Sequence, residues 1–260
     1  MKNTVYRLSS LILALIMLLT VLVGCNDTSG TVDDGGNIDL VCMWIAELVP
    51  LCATLFSFIY GLNKFFKKGK PLFLQSITMA MGSHALGSIY HICQTLTTET
   101  VLEGFTPAYL GRIGFFLFFL AASYGQMDRI VDDGSKKIRP IRYVALLAPL
   151  GAILLYLPNG FMEDLPSATK IAALLVWLPA IFSLYYNLKH SIIPNLDFGF
   201  VKAIKPFNIL AVCLGFSELL CLTAWDYLYN TQLVITSVIF AGLCVALMLA
   251  AKKGAERWTI

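Results

Sequence analysis

The stretch TQLVITSVIFAGLCVALMLAAKK, residues 231–253, decides the class of fold. No side chain from Thr231 to Ala251 is charged, and Lys252 and Lys253 follow at once. The hydrocarbon core of a bilayer needs about 20 predominantly apolar residues in a helix, so this stretch is long enough to cross it. Cytoplasmic loops carry an excess of Lys and Arg. The stretch therefore predicts a transmembrane helix whose carboxyl end lies in the cytoplasm.

Similar apolar segments precede this one along the chain. The Lys and Arg residues alternate between the gaps: all but Arg112 and Lys170 of the 19 fall in every second gap or in the basic tail. This pattern predicts an all-α, polytopic membrane protein. We expect a seven-transmembrane-helix bundle with its N-terminus outside and its C-terminus inside, preceded by a signal or anchor helix. The predicted segments are about 8–24, 38–61, 71–95, 107–128, 141–157, 167–187, 203–226 and 231–251.

The composition excludes several classes of protein. Hydrophobic residues make up 58% of the 260-residue chain, charged residues make up 13%, and the mean hydropathy is +0.75. Soluble domains have about a quarter of their residues charged, so a water-soluble fold is excluded. The net charge of +3 reflects loops that face anionic lipid. No zinc-type spacing, phosphate loop or dinucleotide fingerprint is present. We expect the lipid bilayer as partner and no nucleic acid, metal or cofactor.

The first apolar segment has the features of a secretory signal: a basic start with Lys2 and Arg7, then an apolar run. It ends in Leu-Val-Gly-Cys, residues 22–25, which resembles the lipobox of bacterial lipoproteins. The resemblance implies cleavage before Cys25 and acylation of its sulfur. An uncleaved anchor helix is the alternative. We place the protein in the bacterial cytoplasmic (inner) membrane and divide it into a signal or anchor (1–24), a flexible extracytoplasmic tether (25–37), a membrane domain (38–251) and a short cytoplasmic tail (252–260).

Polar side chains inside the predicted spans are costly and often mark functional sites. At 1.5 Å per residue, the charged and histidine side chains lie about 8–18 Å below the outer ends of their helices. All of them fall in the outer half of the bundle or near its midplane. We therefore predict an outward-facing ligand-binding cavity formed by Glu47, His84, Ser88, His91, Arg112 and Glu218.

Each of these side chains has an expected role. Arg112 is expected to pair with a carboxylate or with an anionic group of the ligand. His84 and His91 would supply hydrogen bonds or pH sensitivity. Pro50 has no backbone N–H, so the carbonyl of Ala46 loses its helical partner, and such interruptions often line binding sites.

A packing role is the alternative for the second bundle helix. His84, Gly87, Ser88, His91 and Gln94 recur at helical spacing and form one stripe. Small and polar residues of this kind also hold transmembrane helices together, with Gly87 allowing close approach. The sequence leaves packing and cavity lining both open.

Three further expectations concern other parts of the chain. Cys42 and Cys93 lie near the outer ends of consecutive helices, where a disulfide between them is conceivable. Asp128 lies at the cytoplasmic end of the third bundle helix, which is either a helix end with solvated charges or a docking surface for a soluble partner. His190 is expected in a loop.

For function, the sequence favours a small seven-helix sensor or accessory module without an effector domain. It would bind a small ligand from outside and signal through a cytoplasmic protein partner. In architecture it is similar to the seven-helix sensory modules of bacterial receptors. A small-molecule or ion/proton-coupled transporter is the first alternative. An intramembrane hydrolase is the second: residues 88–91 resemble the second-helix pattern of alkaline ceramidases, but the terminal His pair is absent, which leaves too few zinc ligands.

Overall fold

Helices account for almost all of the residues that the structure describes. The computed structural model describes residues 35–67, 70–98, 106–128, 132, 134, 136–161, 167–193, 199–227 and 231–256, and no strand occurs within these ranges. The all-α prediction is therefore confirmed for this part of the chain. The predicted signal or anchor, Cys25 and most of the predicted tether lie outside the described residues.

Eight α-helices follow one another within the described ranges. The third continues as a π-helix, Ala121–Asp128, and a 3₁₀ turn, Lys136–Ile138, precedes the fourth. The first begins at Gly35, inside the segment predicted as tether, and the last runs five residues into the predicted tail. The helices are α1 Gly35–Phe65, α2 Leu72–Thr98, α3 Pro107–Leu120, α4 Arg139–Ala145, α5 Leu147–Phe161, α6 Ser167–Ile192, α7 Gly199–Tyr227 and α8 Thr231–Glu256.

Six helical stretches among the described residues are long and apolar enough to cross a membrane, so the chain is a helical, membrane-compatible protein. The exception among the longer helices is α2, whose stripe of polar residues lowers its hydropathy. The six stretches are Trp44–Phe65, Pro107–Gly125, Arg139–Leu157, Ser167–Ile192, Lys205–Leu222 and Leu233–Gly254.

Six of the helices pack side by side in a closed ring. In order around the ring they are α1, α2, α3, α6, α7 and α8, and α8 returns to α1. Helix α5 lies outside the ring and packs on α6 and α7. The buried indole of Trp177 on α6 donates a hydrogen bond to the carbonyl of Ala152 on α5 at 2.8 Å and so connects the two helices.

Many large hydrophobic side chains are exposed on the surface of the bundle. On α1, Leu48, Leu55, Ile59 and Leu62 recur at helical spacing and are all exposed. An exposed apolar face of this kind suits lipid rather than water. We call the end of the bundle where Lys64, Lys189, Lys205 and Lys252 lie the lysine-rich end.

Candidate functional site

A pocket lies between five helices, towards the end of the bundle opposite the lysine-rich end. Its interior has a volume of about 20 Å³, which is room for about one water molecule. The sequence-predicted residues that border it come from α1, α2, α3 and α7. The lining residues are Ala46, Glu47, Pro50, His84, Ser88, Arg112, Glu218, Cys221, Leu233 and Ser237.

Glu218 is the centre of the polar contacts in this pocket. Its Oε1 accepts a hydrogen bond from Nε of Arg112 at 2.9 Å, and its Oε2 accepts one from Nε2 of His84 at 3.2 Å. The side chain is 3% exposed, so both bonds are made away from water. Charged partners are needed here because burying a lone carboxylate is very costly. Arg112 therefore pairs with a carboxylate of the protein itself.

Glu47 supplies the second of the two carboxylates that border the pocket. Its Oε1 lies 3.8 Å from Nε2 of His91, and the His91 side chain is partly exposed. His91 itself is not among the lining residues and stands beside Glu47. One turn further along α1, Pro50 cannot donate the bond that the carbonyl of Ala46 receives in a regular helix, and both residues border the pocket.

The polar stripe of α2 contains one residue that packs closely against α3 and two residues that line the pocket. Gly87 faces Gly111 of α3 so closely that a Cβ on Gly111 would lie 2.5 Å from Cα of Gly87. His84 and Ser88 border the pocket, and the Ser88 hydroxyl lies 3.5 Å from Nδ1 of His84. The two alternatives left open by the sequence thus apply to different residues of one stripe.

Three lining residues were not predicted from the sequence. Cys221 follows Glu218 by one helical turn of α7, a spacing that would have indicated the same face. Leu233 and Ser237 lie on α8, whose hydropathy is the highest among the candidate spans. Because α8 carries no charge within its apolar part, no sequence signal pointed to it.

An apolar layer closes the pocket towards the lysine-rich end. Four helices each place a large buried side chain three or four residues beyond their pocket residue. The His84 ring stacks on Phe240, with centroids 4.8 Å apart, and meets the edge of Phe115 at 5.4 Å. The layer consists of Met81, Phe115, Leu214 and Phe240, each no more than 1% exposed.

A second charged cluster lies at the lysine-rich end. Lys189 on α6 is 3% exposed and forms ion pairs with Asp128, at the end of the π-helix, and with Asp132 at 3.1 Å. Arg142 on α4 donates two hydrogen bonds to Asp132, at 2.6 and 2.9 Å. We call these residues, together with His190, the ion-pair cluster.

His190 was placed wrongly by the sequence interpretation. It lies in α6 rather than in a loop, is 1% exposed, and donates from Nε2 to Asp128 at 3.0 Å. The helix continues to Ile192, five residues beyond the predicted segment, because Asp128 and Asp132 compensate the charge of its last turn.

The two aspartates of the ion-pair cluster have lowered pKa values. Burial alone would raise the pKa of Asp128, but hydrogen bonds from His190 and Lys189 outweigh it. The Arg142 guanidinium lowers the pKa of Asp132 well below its usual range. Both carboxyls are therefore ionised at neutral pH, and any stability they contribute is lost only as the pH falls through these lowered values.

The remaining predictions concern cysteines and metals. Cys42 is buried and Cys93 is exposed, and both are thiols in this structure, so their disulfide stays a prediction for an oxidising environment. Within the described ranges, no three or more His, Cys, Asp or Glu side chains come together as a metal site.

Comparisons with known proteins give no relative. No family model matches the chain, and no significant match is found among curated proteins or solved structures. The function is therefore argued from the geometry of the pocket and of the ion-pair cluster.

Proposed function

We propose that the protein is a seven-helix sensor or accessory module of the bacterial cytoplasmic membrane that binds a small ligand in an outward-facing pocket. Helix α2 is the seventh span, and the lysine-rich end faces the cytoplasm, as the positive charges favour. In this proposal the module signals through a protein partner at the lysine-rich end.

The observation that carries the proposal is the convergence of polar side chains from α1, α2, α3 and α7 on one pocket above an apolar layer. Glu47 and Glu218 lie on two separate helices and border the same pocket. Burying carboxylates inside a membrane domain costs free energy, so helix packing alone does not explain why both are present. The apolar layer separates the pocket from the ion-pair cluster. A closed floor favours binding from one side over passage through the bundle.

A proton- or ion-coupled transporter is the second candidate. It is favoured by the presence of a His–carboxylate pair on each side of the apolar layer: His84 with Glu218, and His190 with Asp128. Such pairs occur along proton pathways in membrane proteins. In this case the apolar layer would open during transport.

Thiol labelling at single engineered cysteines distinguishes these candidates. Ser88→Cys and Ser237→Cys place a thiol in the pocket, and Ser123→Cys places one on the π-helix beyond the apolar layer, where the native side chain is 1% exposed. Peptide-resolved mass spectrometry measures each labelled site, with the fully buried native Cys244 as an unreactive reference.

A water-filled pocket predicts that a small water-soluble thiol reagent modifies the cysteines at 88 and 237 but spares those at 123 and 244. Labelling at 123 as well would show a path through the layer and favour the transporter. If 88 and 237 stay unmodified in folded protein, the polar residues serve packing and the proposed function is wrong.

A further inference from the structure

We propose that the pocket is a binding site for one buried water molecule, which donates its O–H groups to the carboxylates of Glu47 and Glu218. The inference goes beyond the proposed function, because it concerns the same pocket but does not depend on a ligand. Three features of the described residues support it: the size of the interior, the hydrogen-bonding atoms on its wall, and the long contacts of two serine hydroxyls.

The interior of the pocket has the size of one water molecule. Its volume is about 20 Å³. A cavity needs about 10–15 Å³ to hold a water, and the water needs two to four polar partners, since apolar cavities stay dry. The size of the interior thus permits one water, and the chemistry of the wall decides whether that water is bound.

Four helices supply polar side chains to this wall. The carboxylates are Glu47 of α1 and Glu218 of α7, and the hydroxyls are Ser88 of α2 and Ser237 of α8. An ionised carboxylate only accepts hydrogen bonds, whereas a hydroxyl both donates and accepts. Water brings two donors and also accepts, so it can join two carboxylates and take a hydrogen bond from a serine. It would thereby connect helices on opposite sides of the pocket.

The contacts already made by the two carboxylates do not prevent this. An ionised carboxylate has about four positions at which it can accept a hydrogen bond. Arg112 and His84 each contact a different oxygen of Glu218, and His91 lies 3.8 Å from Oε1 of Glu47. A water adds to these contacts, and it replaces part of the hydration that both carboxylates lose on burial.

The two serine hydroxyls make long contacts although both side chains are buried. The Ser88 hydroxyl lies 3.5 Å from Nδ1 of His84, and the Ser237 hydroxyl lies 4.0 Å from Sγ of Cys221. Hydrogen bonds of ordinary strength to oxygen or nitrogen are about 2.5–3.2 Å long. A water in the interior gives these hydroxyls a partner at an ordinary distance.

X-ray footprinting of the purified full chain in detergent micelles tests the inference. Irradiation converts bound water in place to hydroxyl radicals, which oxidise a thiol beside it. Peptide-resolved mass spectrometry compares Cys221, which borders the pocket, with Cys244, a buried cysteine of α8 that is not among the lining residues. We expect oxidation of Cys221 and none of Cys244.

Two substitutions at Ser237 distinguish bound water from radicals that arrive from outside. Ser237→Ala removes the hydroxyl and leaves the space, so the water keeps its other partners and Cys221 is still oxidised. Ser237→Val fills the space with methyl groups, so the oxidation of Cys221 should be lost. An experimental structure of the wild-type protein that resolves ordered water gives a direct measurement that needs no variant. It should show one water oxygen within hydrogen-bonding distance of both carboxylates.

Two results would overturn the inference. An inert Cys221 in the wild type, or no water between the carboxylates, would mean that the pocket is dry. Unchanged oxidation of Cys221 in folded Ser237→Val would mean that radicals enter from outside.

The labelling of engineered cysteines at 88 and 237 tests the proposed function separately. If those cysteines react while Cys221 resists radical oxidation, the water site is wrong and the proposed function stands. If the water is present while those cysteines are inert, the pocket is a hydrated packing site, so the inference stands and the proposed function is wrong.

Discussion

At the scale of single residues, Glu218 depends on partners from two other helices. Arg112 and His84 each contact a different oxygen of its carboxylate. Buried ion pairs add little net stability against apolar side chains of similar volume, but removing one partner leaves a buried charge without compensation. The arrangement therefore fixes the relative positions of α2, α3 and α7 more than it adds to the free energy of unfolding.

A double-mutant comparison tests this view. Arg112→Gln alone should lower the free energy of unfolding by about 3–5 kcal/mol, because Glu218 keeps its charge with only His84 beside it. Arg112→Gln combined with Glu218→Gln should cost less than the single change. Denaturant unfolding in mixed micelles measures both. Additive losses would contradict the proposed coupling between the two side chains.

Single residues also show which features the sequence predicts and which it does not. The depth of Glu47, His84, Arg112 and Glu218 followed from helix rise and charge alternation, and the structure brings all four to one pocket. Their pairing did not follow, because it depends on how far each helix is rotated about its axis. His190 shows the same limit, since only its contact with Asp128 explains why a charged helix end is buried.

At the scale of helices, α2 and α3 are held together by their glycines. A Cβ on Gly111 would lie 2.5 Å from Cα of Gly87 and 2.8 Å from the carbonyl oxygen of Ser83. Both neighbours are backbone atoms, which cannot move aside as a flexible side chain does. This close approach places His84 and Ser88 of α2 beside Arg112 of α3.

Gly111→Ala should therefore destabilise the protein by about 1–3 kcal/mol, as for other overpacked sites. Gly125→Ala is the matched control, because nothing lies within 4 Å of a Cβ at Gly125. The unfolding midpoints of the two variants give the comparison. An equal effect at both positions would mean that the close contact of α2 with α3 does not limit stability.

Helix α3 also connects the two charged regions of the molecule. Arg112 contacts Glu218 in the pocket, and Asp128 at the other end of the same helical stretch contacts Lys189 and His190. The π-helix Ala121–Asp128 ends at the ion-pair cluster. π-Helical turns are often found at functional sites.

At the scale of the whole molecule, the number of membrane crossings depends on α2. Six described stretches meet the requirements of length and hydropathy, and α2 does not because of its polar stripe. It nevertheless packs between α1 and α3 within the ring. Its polar face meets protein rather than lipid, so low hydropathy does not prevent it from crossing.

Seven crossings place the two ends of the membrane domain on opposite sides of the membrane, whereas six would place them on the same side. Ser29→Cys should react with a membrane-impermeant thiol reagent on intact bacterial cells. Thr259→Cys should react only after the cells are permeabilised. Wild-type protein corrects for the native cysteines. Labelling of both positions in intact cells would contradict the seven-helix topology.

The sequence by itself determined the all-α class, the approximate helices and the position of the polar residues along them. Hydropathy and the helix rise are properties of each segment alone, so they can be read without knowing its neighbours. Only the tertiary structure decided that Arg112 pairs with Glu218, that Ser237 of α8 joins the pocket, and that Asp128, Asp132, Lys189 and His190 form the ion-pair cluster. These contacts join segments far apart in the chain, and they depend on the rotation and close packing of helices, which no single segment encodes.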